Sequence, residues 1–295
     1  MICSKGNNLS SFIAWFIISV NMVLCIRFDT RRGIVNGFTK PTEPNEGDFP
    51  HHASLVTQVN STQLIFCGGS LIHPKWVLTA AHCLERDGKQ FPSRLIKVSV
   101  GSVYADLRGG QSLEVSDVYI HEGYFRTGGN DDIGLLTLTT PAVISRFIQT
   151  VALHTNNSES LIGQTAYLTG LGAVNDFLQR PSRLRRATLH VNSAKKCLLK
   201  ATPSQLCCTS TIREGKACKG DSGGPLVMKN KGKFYQIGIT SRLAVVPLCK
   251  LTFNHSVYTK VAAYIAWISG VTAISFVLRS KTFDDLEIFK HDNHC

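Results

Sequence analysis

The chain is expected to be an all-β protein built from antiparallel barrels and closed by one C-terminal helix. Three features of its pattern predict this. Between Ile34 and Leu251 apolar residues recur in short runs, such as Leu113, Val115, Val118 and Ile120, the alternation of strands with one buried face. Gly, Asn, Asp and Pro separate those runs as turns do, and no convincing long helix interrupts them, which is the layout of antiparallel barrels. After Tyr258 the period lengthens: Val261, Tyr264, Ile265 and Ile268 fall at helical spacing and mark one amphipathic helix packed against a barrel.

Taken from its start, the chain first shows Lys5 and then an apolar run from Phe12 to Cys25, broken only by Ser19 and Asn21. This reads as a secretory signal over residues 1–25, followed by a short segment at 26–33. A retained signal anchor is the alternative, disfavoured because the run is short for a bilayer. Near the other end, 261–278 carries no charge and is bracketed by Lys260 and Arg279. The closing helix already accounts for its first half and Gly270 weakens the rest, so no stable membrane span is expected. The tail, 271–295, suggests no function.

The 295 residues are 43% hydrophobic and 18% charged, a globular composition long enough for two ordinary domains or one double-barrel unit. The net charge of +12 favours acidic partners such as sulfated glycans or anionic surfaces, or simply gives a solvated basic surface. No long basic run interleaved with aromatics marks a nucleic-acid site. Ten cysteines, with no Cys-x-x-Cys pair to propose zinc, point to disulfides and an oxidising compartment. In a secreted chain Asn60-Ser61-Thr62, Asn156-Asn157-Ser158 and Asn254-His255-Ser256 would be glycan acceptors.

Three local words carry chemistry. They are Thr79-Ala80-Ala81-His82-Cys83, Asp132-Ile133-Gly134-Leu135-Leu136 and Gly220-Asp221-Ser222-Gly223-Gly224-Pro225. A serine hydroxyl attacks a carbonyl only with an imidazole beside it to take its proton and a buried carboxylate to fix the imidazole tautomer. Alone, a histidine or a Gly-Asp-Ser-Gly-Gly turn means little; together and in this order they propose acyl transfer. Gly220 has no side chain to obstruct its backbone, so its N–H and that of Ser222 can converge on a developing oxyanion.

With Ile34-Val35-Asn36-Gly37, Cys67-Gly68-Gly69-Ser70-Leu71-Ile72 and Ser256-Val257-Tyr258-Thr259-Lys260-Val261, these words resemble the chymotrypsin-fold, trypsin-like serine proteases. Among these the chain is most similar to insect chymotrypsin-like enzymes, from Ile34 to about Ser269. The resemblance implies two antiparallel six-stranded Greek-key barrels and a C-terminal helix within 34–270. It also implies a secreted endopeptidase with His82, Asp132 and Ser222 catalytic and Gly220 and Ser222 forming the oxyanion hole. Asp132 is preferred to Asp131 because the Ile133-Gly134-Leu135-Leu136 that follows matches the strand start in the motif of the family that the chain resembles. Expected partners are a protein or peptide substrate, an activating protease and macromolecular inhibitors, with no metal or organic cofactor.

Activation is implied through Ile34, whose ammonium, freed by cleavage, would pair with Asp221. Gly33 departs from the family pattern, since a cut after Arg32 leaves one residue too many. Either another activator cuts after Gly33, an aminopeptidase trims it, or activation is impaired. The specificity pocket would comprise Lys216 at its base with Ser241, Arg242, Leu243 and Ser256 in its wall. A buried lysine needs a partner, so Lys216 should meet an acidic substrate side chain, hold an anion, or turn to solvent. The resemblance implies bridges Cys67 with Cys83, Cys197 with Cys208, and Cys218 with Cys249. That leaves Cys207 and Cys295 to pair together, link two chains, or exchange roles with Cys208. The second functional possibility is a protease-like binding or decoy protein whose pocket and activation site no longer serve catalysis.

Overall fold

The computed structural model describes residues 42–59, 62–174, 177, 179–197, 201–211, 214–243 and 255–276, with no side-chain account of Val59 or Leu243. The expected signal and activation segments, Ile34, Asn60, Cys249, Asn254, Cys295 and the tail from 277 lie outside the described residues.

The first barrel is a closed ring of six strands in the order β1-β2-β3-β8-β7-β6. These are β1 (His52–Val59), β2 (Thr62–His73), β3 (Trp76–Thr79), β6 (Lys97–Val100), β7 (Gln111–Ile120) and β8 (Gly134–Leu138). Two-residue strands β4 (Glu85–Arg86) and β5 (Lys89–Gln90) form a separate hairpin. Its interior is filled by Leu55, Leu71, Leu78, Ile96, Leu135 and Leu136, all without exposed surface, each worth about 1.5–3 kcal/mol of apolar burial. The run that predicted β7 breaks its alternation between Val115 and Val118. There the ladder with β8 slips by one residue, a bulge that keeps both valines facing the core.

The second barrel closes through β10 (Thr165–Gly170), β11 (Arg185–Asn192), β12 (Gln205–Thr209), β15 (His255–Lys260), β14 (Lys233–Leu243) and β13 (Pro225–Asn230). The β13–β14 hairpin completes the ring, and the short β9 (Ala152–Leu153) joins β14 in parallel. The one-turn helix α1 (Gly123–Arg126) precedes β8. At the end, Val261–Tyr264 forms a 3₁₀ turn that continues into α2 (Ile265–Thr272), and Val261, Tyr264, Ile265 and Ile268 are all buried as their spacing predicts. Ala273 adopts a left-handed conformation and ends the helix. No helix among the described residues is long and apolar enough to cross a membrane.

One expected bridge is corrected. Cys67 pairs with Cys83 as expected, but Cys197 pairs with Cys207, not Cys208. Neighbours on a strand face opposite ways. On β12, Cys207 packs with Cys197 and Val257, while Cys208 enters the barrel core beside Ala217 and Tyr258 as a free thiol. Burial pushes that thiol well above the ordinary range, so it is inert as a nucleophile. Cys218 is disulfide-bonded, and its expected partner lies outside the described residues. Cys207→Ser is therefore expected to cost about 3 kcal/mol in urea denaturation, against about 1 kcal/mol for Cys208→Ala. Non-reducing peptide mapping should recover the Cys197–Cys207 peptide from the wild-type chain.

Candidate active site

The site is assembled from both barrels. After β3 the backbone turns through Ala81–Cys83, and the Cys67–Cys83 bridge ties this turn to β2. His82 is thereby presented with its ring partly exposed, while Asp132, just before β8, is buried. One carboxylate oxygen of Asp132 accepts the backbone N–H of His82 at 2.9 Å and the other meets His82 Nδ1 at 2.8 Å. An ionised carboxylate only accepts, so Nδ1 carries the proton and Nε2 remains the basic nitrogen.

Electrostatics agree with that tautomer. Burial alone would lower the His82 pKa, but the hydrogen bond to Asp132, its charge and that of Glu85 outweigh it and raise the ring above its ordinary value. Burial likewise works against ionised Asp132, yet His82 and the Ser241 hydroxyl hold the carboxyl below the usual range.

Barrel two and the closing turn grip the segment that carries this carboxylate, residue by residue. Ser241 Oγ donates to Asp132 Oδ2 at 2.6 Å and Thr259 Oγ1 to the Asp132 carbonyl at 2.7 Å. Tyr264 donates its hydroxyl to Asp131 at 2.7 Å. Gln205 Nε2 donates to the Asn130 carbonyl and Arg242 Nη2 to Asn130 Oδ1, both at 3.3 Å. Asp131 thus anchors the closing turn, while Asp132 is the residue whose carboxylate meets His82. The ladder between β14 and β15 slips between Thr240 and Arg242, and the bulged residue, Ser241, is the one that reaches Asp132. Sequence reasoning placed Ser241 in the pocket wall; its hydroxyl faces the carboxylate.

Ser222 arrives on the turn between Cys218 and β13. Its carbonyl accepts Gly68 N–H at 2.7 Å, next to the bridged Cys67. Gly223 has φ 75°, and a side chain there would collide with Thr79 Oγ1 at 2.2 Å and Gly68 O at 2.5 Å. Only glycine admits this approach, which sets the Ser222 turn against the two residues leading into the His82 turn. Ser222 Oγ has no hydrogen bond to a described residue, and His82 Nε2 lies 3.8 Å from Cys83 Sγ. Gly220, at φ 96°, and Ser222 make no backbone hydrogen bond through their N–H groups among the described residues. Both donors remain open to an oxyanion.

Asp221 points away from Ser222 into the second barrel. It is buried, and its oxygens accept Gly172 N–H and Cys218 N–H, each at 2.8 Å. Burial pushes its pKa up to about 6, against the two N–H groups and the charge of Arg180, which favour ionisation. A small cavity beside it is lined by Leu168, Gly170, Gly172, Val174, Arg185 and Ala187.

Of the remaining residues expected in the specificity pocket, Lys216 is buried and does not turn to solvent. Ser256 is also buried and donates to the Tyr258 hydroxyl at 3.0 Å. Leu243 pairs with Ser256 across the ladder. Cys67, His82 and Cys83 place three potential ligand atoms within 4.8 Å, but both sulfurs are consumed by the bridge and offer no thiolate.

The family model for trypsin matches residues 38–268, more than half of the chain. Vitamin K-dependent protein C of Mus musculus is 32% identical over 251 residues, covering 80% of this chain and 51% of that protein. Serine protease SSP1 of Scolopendra subspinipes is 34% identical over 212 residues, 70% of this chain and 73% of that protein. Urokinase-type plasminogen activator of Gallus gallus is 33% identical over 248 residues, 78% and 56% respectively. The chain spans about half the length of its mouse and rat protein C relatives.

Proposed function

The chain belongs to the trypsin family of serine proteases, and from that premise we propose that it is a secreted serine endopeptidase made as a zymogen. The observation that carries this reading is Asp132 gripping His82 through both carboxylate oxygens while Ser241 holds it from the other barrel. In the proposed reaction Ser222 Oγ attacks the peptide carbonyl as His82 Nε2 takes its proton. The developing oxyanion is held by the N–H groups of Gly220 and Ser222, each worth on the order of 3 kcal/mol. His82 then returns the proton to the leaving amine, and water, activated by the same nitrogen, releases the acyl group.

Secretion is supported by the apolar run at 12–25 and by the disulfides. At Asn156-Asn157-Ser158, the Ser158 hydroxyl lies 2.7 Å from Asn156 Oδ1 and donates to it, a local arrangement compatible with a glycan acceptor. For activation, the free ammonium of Ile34 would enter the cavity beside Asp221 and pair with its carboxylate. Whether Gly33 is cut behind, trimmed away or obstructive is decided by sequencing the terminus of the active form. The positive charge of Lys216, at the base of the inferred pocket, favours an acidic or small residue before the scissile bond and disfavours lysine or arginine by like-charge repulsion.

That same lysine, with Gly33, favours a second reading, in which the chain binds without cutting. A fluorophosphonate probe separates the two. The enzyme reading expects Ser222 to label only after cleavage near Gly33 and a peptide panel to show slow turnover after arginine. No labelling of the correctly cleaved chain supports the binding protein.

A further inference from the structure

The Ser222 turn is hydrogen-bonded on two flanks. On one, Gly223 N–H donates to Thr240 O and Thr240 N–H to Gly224 O, joining it to β14, where Ser241 and Arg242 follow. On the other, Ala173 N–H donates to Lys219 O and Gly172 N–H to Asp221, joining it to the connection between β10 and β11. That second flank carries a cation with no role in the chemistry above.

Arg180 Nη1 donates to the Leu171 carbonyl at 3.2 Å. A methyl group built on Gly220 would sit 3.2 Å from Nη1 and 3.3 Å from Nη2 of Arg180. The guanidinium therefore lies close against the side of Gly220 on which a side chain would be built. The residue is otherwise exposed and forms no ion pair with any described carboxylate. Asp221 feels its charge, but both oxygens of that carboxylate are engaged by backbone N–H groups. A guanidinium has five N–H donors, and among the described residues this one makes a single hydrogen bond. Exposed Lys219 adds a second cation next to Gly220. The acid whose charge bears on His82, Glu85, belongs to the first barrel.

A polypeptide whose acyl side faces β14 must continue past Gly220 onto this flank. We propose that Arg180 is a substrate-binding residue for an acidic side chain on the leaving-group side of the scissile bond. This rests on the peptidase reading for its orientation, and it adds the leaving-group half of the recognition.

The test is equilibrium binding to the chain carrying Ser222→Ala after cleavage near Gly33, which needs no turnover. Two short fluorescein-labelled peptides are compared, each with alanine before the bond and either glutamate or glutamine at the positions after it. The glutamate peptide should bind about five-fold tighter at low salt, an advantage that shrinks as salt is raised. Arg180→Gln should erase the difference and Arg180→Lys should retain part of it. Equal binding of the two peptides, or a preference that survives Arg180→Gln, overturns the proposal. Failure of Ser222 to label with fluorophosphonate would instead remove the peptidase reading and leave this binding result standing.

Discussion

Ser222→Ala and His82→Ala in the activated chain are each expected to lower kcat by about five to six orders of magnitude, and the double variant by no more than either alone. Neither group works without the other: the hydroxyl is not nucleophilic until its proton has somewhere to go, and the imidazole has nothing to activate once the hydroxyl is gone. KM for a neutral peptide should change little, because the lost interaction exists only in the transition state. The pH profile carries a second check. Asp132 raises the His82 pKa despite burial, so kcat/KM should fall on the acid side through a limb above the ordinary value of 6.5 for histidine. Asp132→Asn should move that limb downward while lowering the plateau, since the neutral amide neither stabilises the imidazolium nor fixes the tautomer. A plateau unchanged by Asp132→Asn would show that another carboxylate orients the ring.

The features legible in the sequence were local. Alternation identified β7, and its one irregularity, between Val115 and Val118, proved to be a bulge that preserves the buried face. Helical spacing picked out the four buried residues of the closing turn and α2, because neighbours three or four apart share a face whatever the helix packs against. The words around His82, Asp132 and Ser222 were legible because each must build a particular turn or strand start. Contacts between distant segments were not. Ser241 and Thr259 bind Asp132 across 109 and 127 residues of chain, and no local pattern announces a hydroxyl that will face a carboxylate on another barrel. Arg180 was missed for the same reason: it becomes notable only beside Gly220. The Cys207–Cys208 pair shows a different limit. Sequence alone left their roles exchangeable, and only the orientation of β12 decides which sulfur faces Cys197 and which enters the core.

Asp221 gives the other large expected effect, on the stability of the uncleaved chain. Its folded pKa of about 6, set first by burial, is above its ordinary value of 3.8. A group raised in this way contributes stability that is fully present below the unfolded pKa and is lost as pH rises through the folded one. Between pH 4 and pH 7 the loss from this carboxyl amounts to roughly 2–3 kcal/mol. Buried His51 and His52 act with the opposite sign, because burial lowers them to about 3 and about 4. Each costs the fold about 3 kcal/mol at pH 4, so the total profile falls in acid and hides the Asp221 contribution. The informative quantity is therefore a difference. Asp221→Asn in the uncleaved chain sets its NH2 against one of the two N–H groups that Asp221 accepts, a cost independent of pH. In urea denaturation across that range its stability relative to wild type should therefore rise by roughly 2–3 kcal/mol from acid to pH 7. After cleavage the trend should reverse, because an ammonium inserted beside Asp221 stabilises the carboxylate, and Asp221→Asn then strands that ammonium in a buried site. If the difference between wild type and Asp221→Asn is the same before and after cleavage, no ammonium reaches Asp221, and activation through Ile34 does not occur.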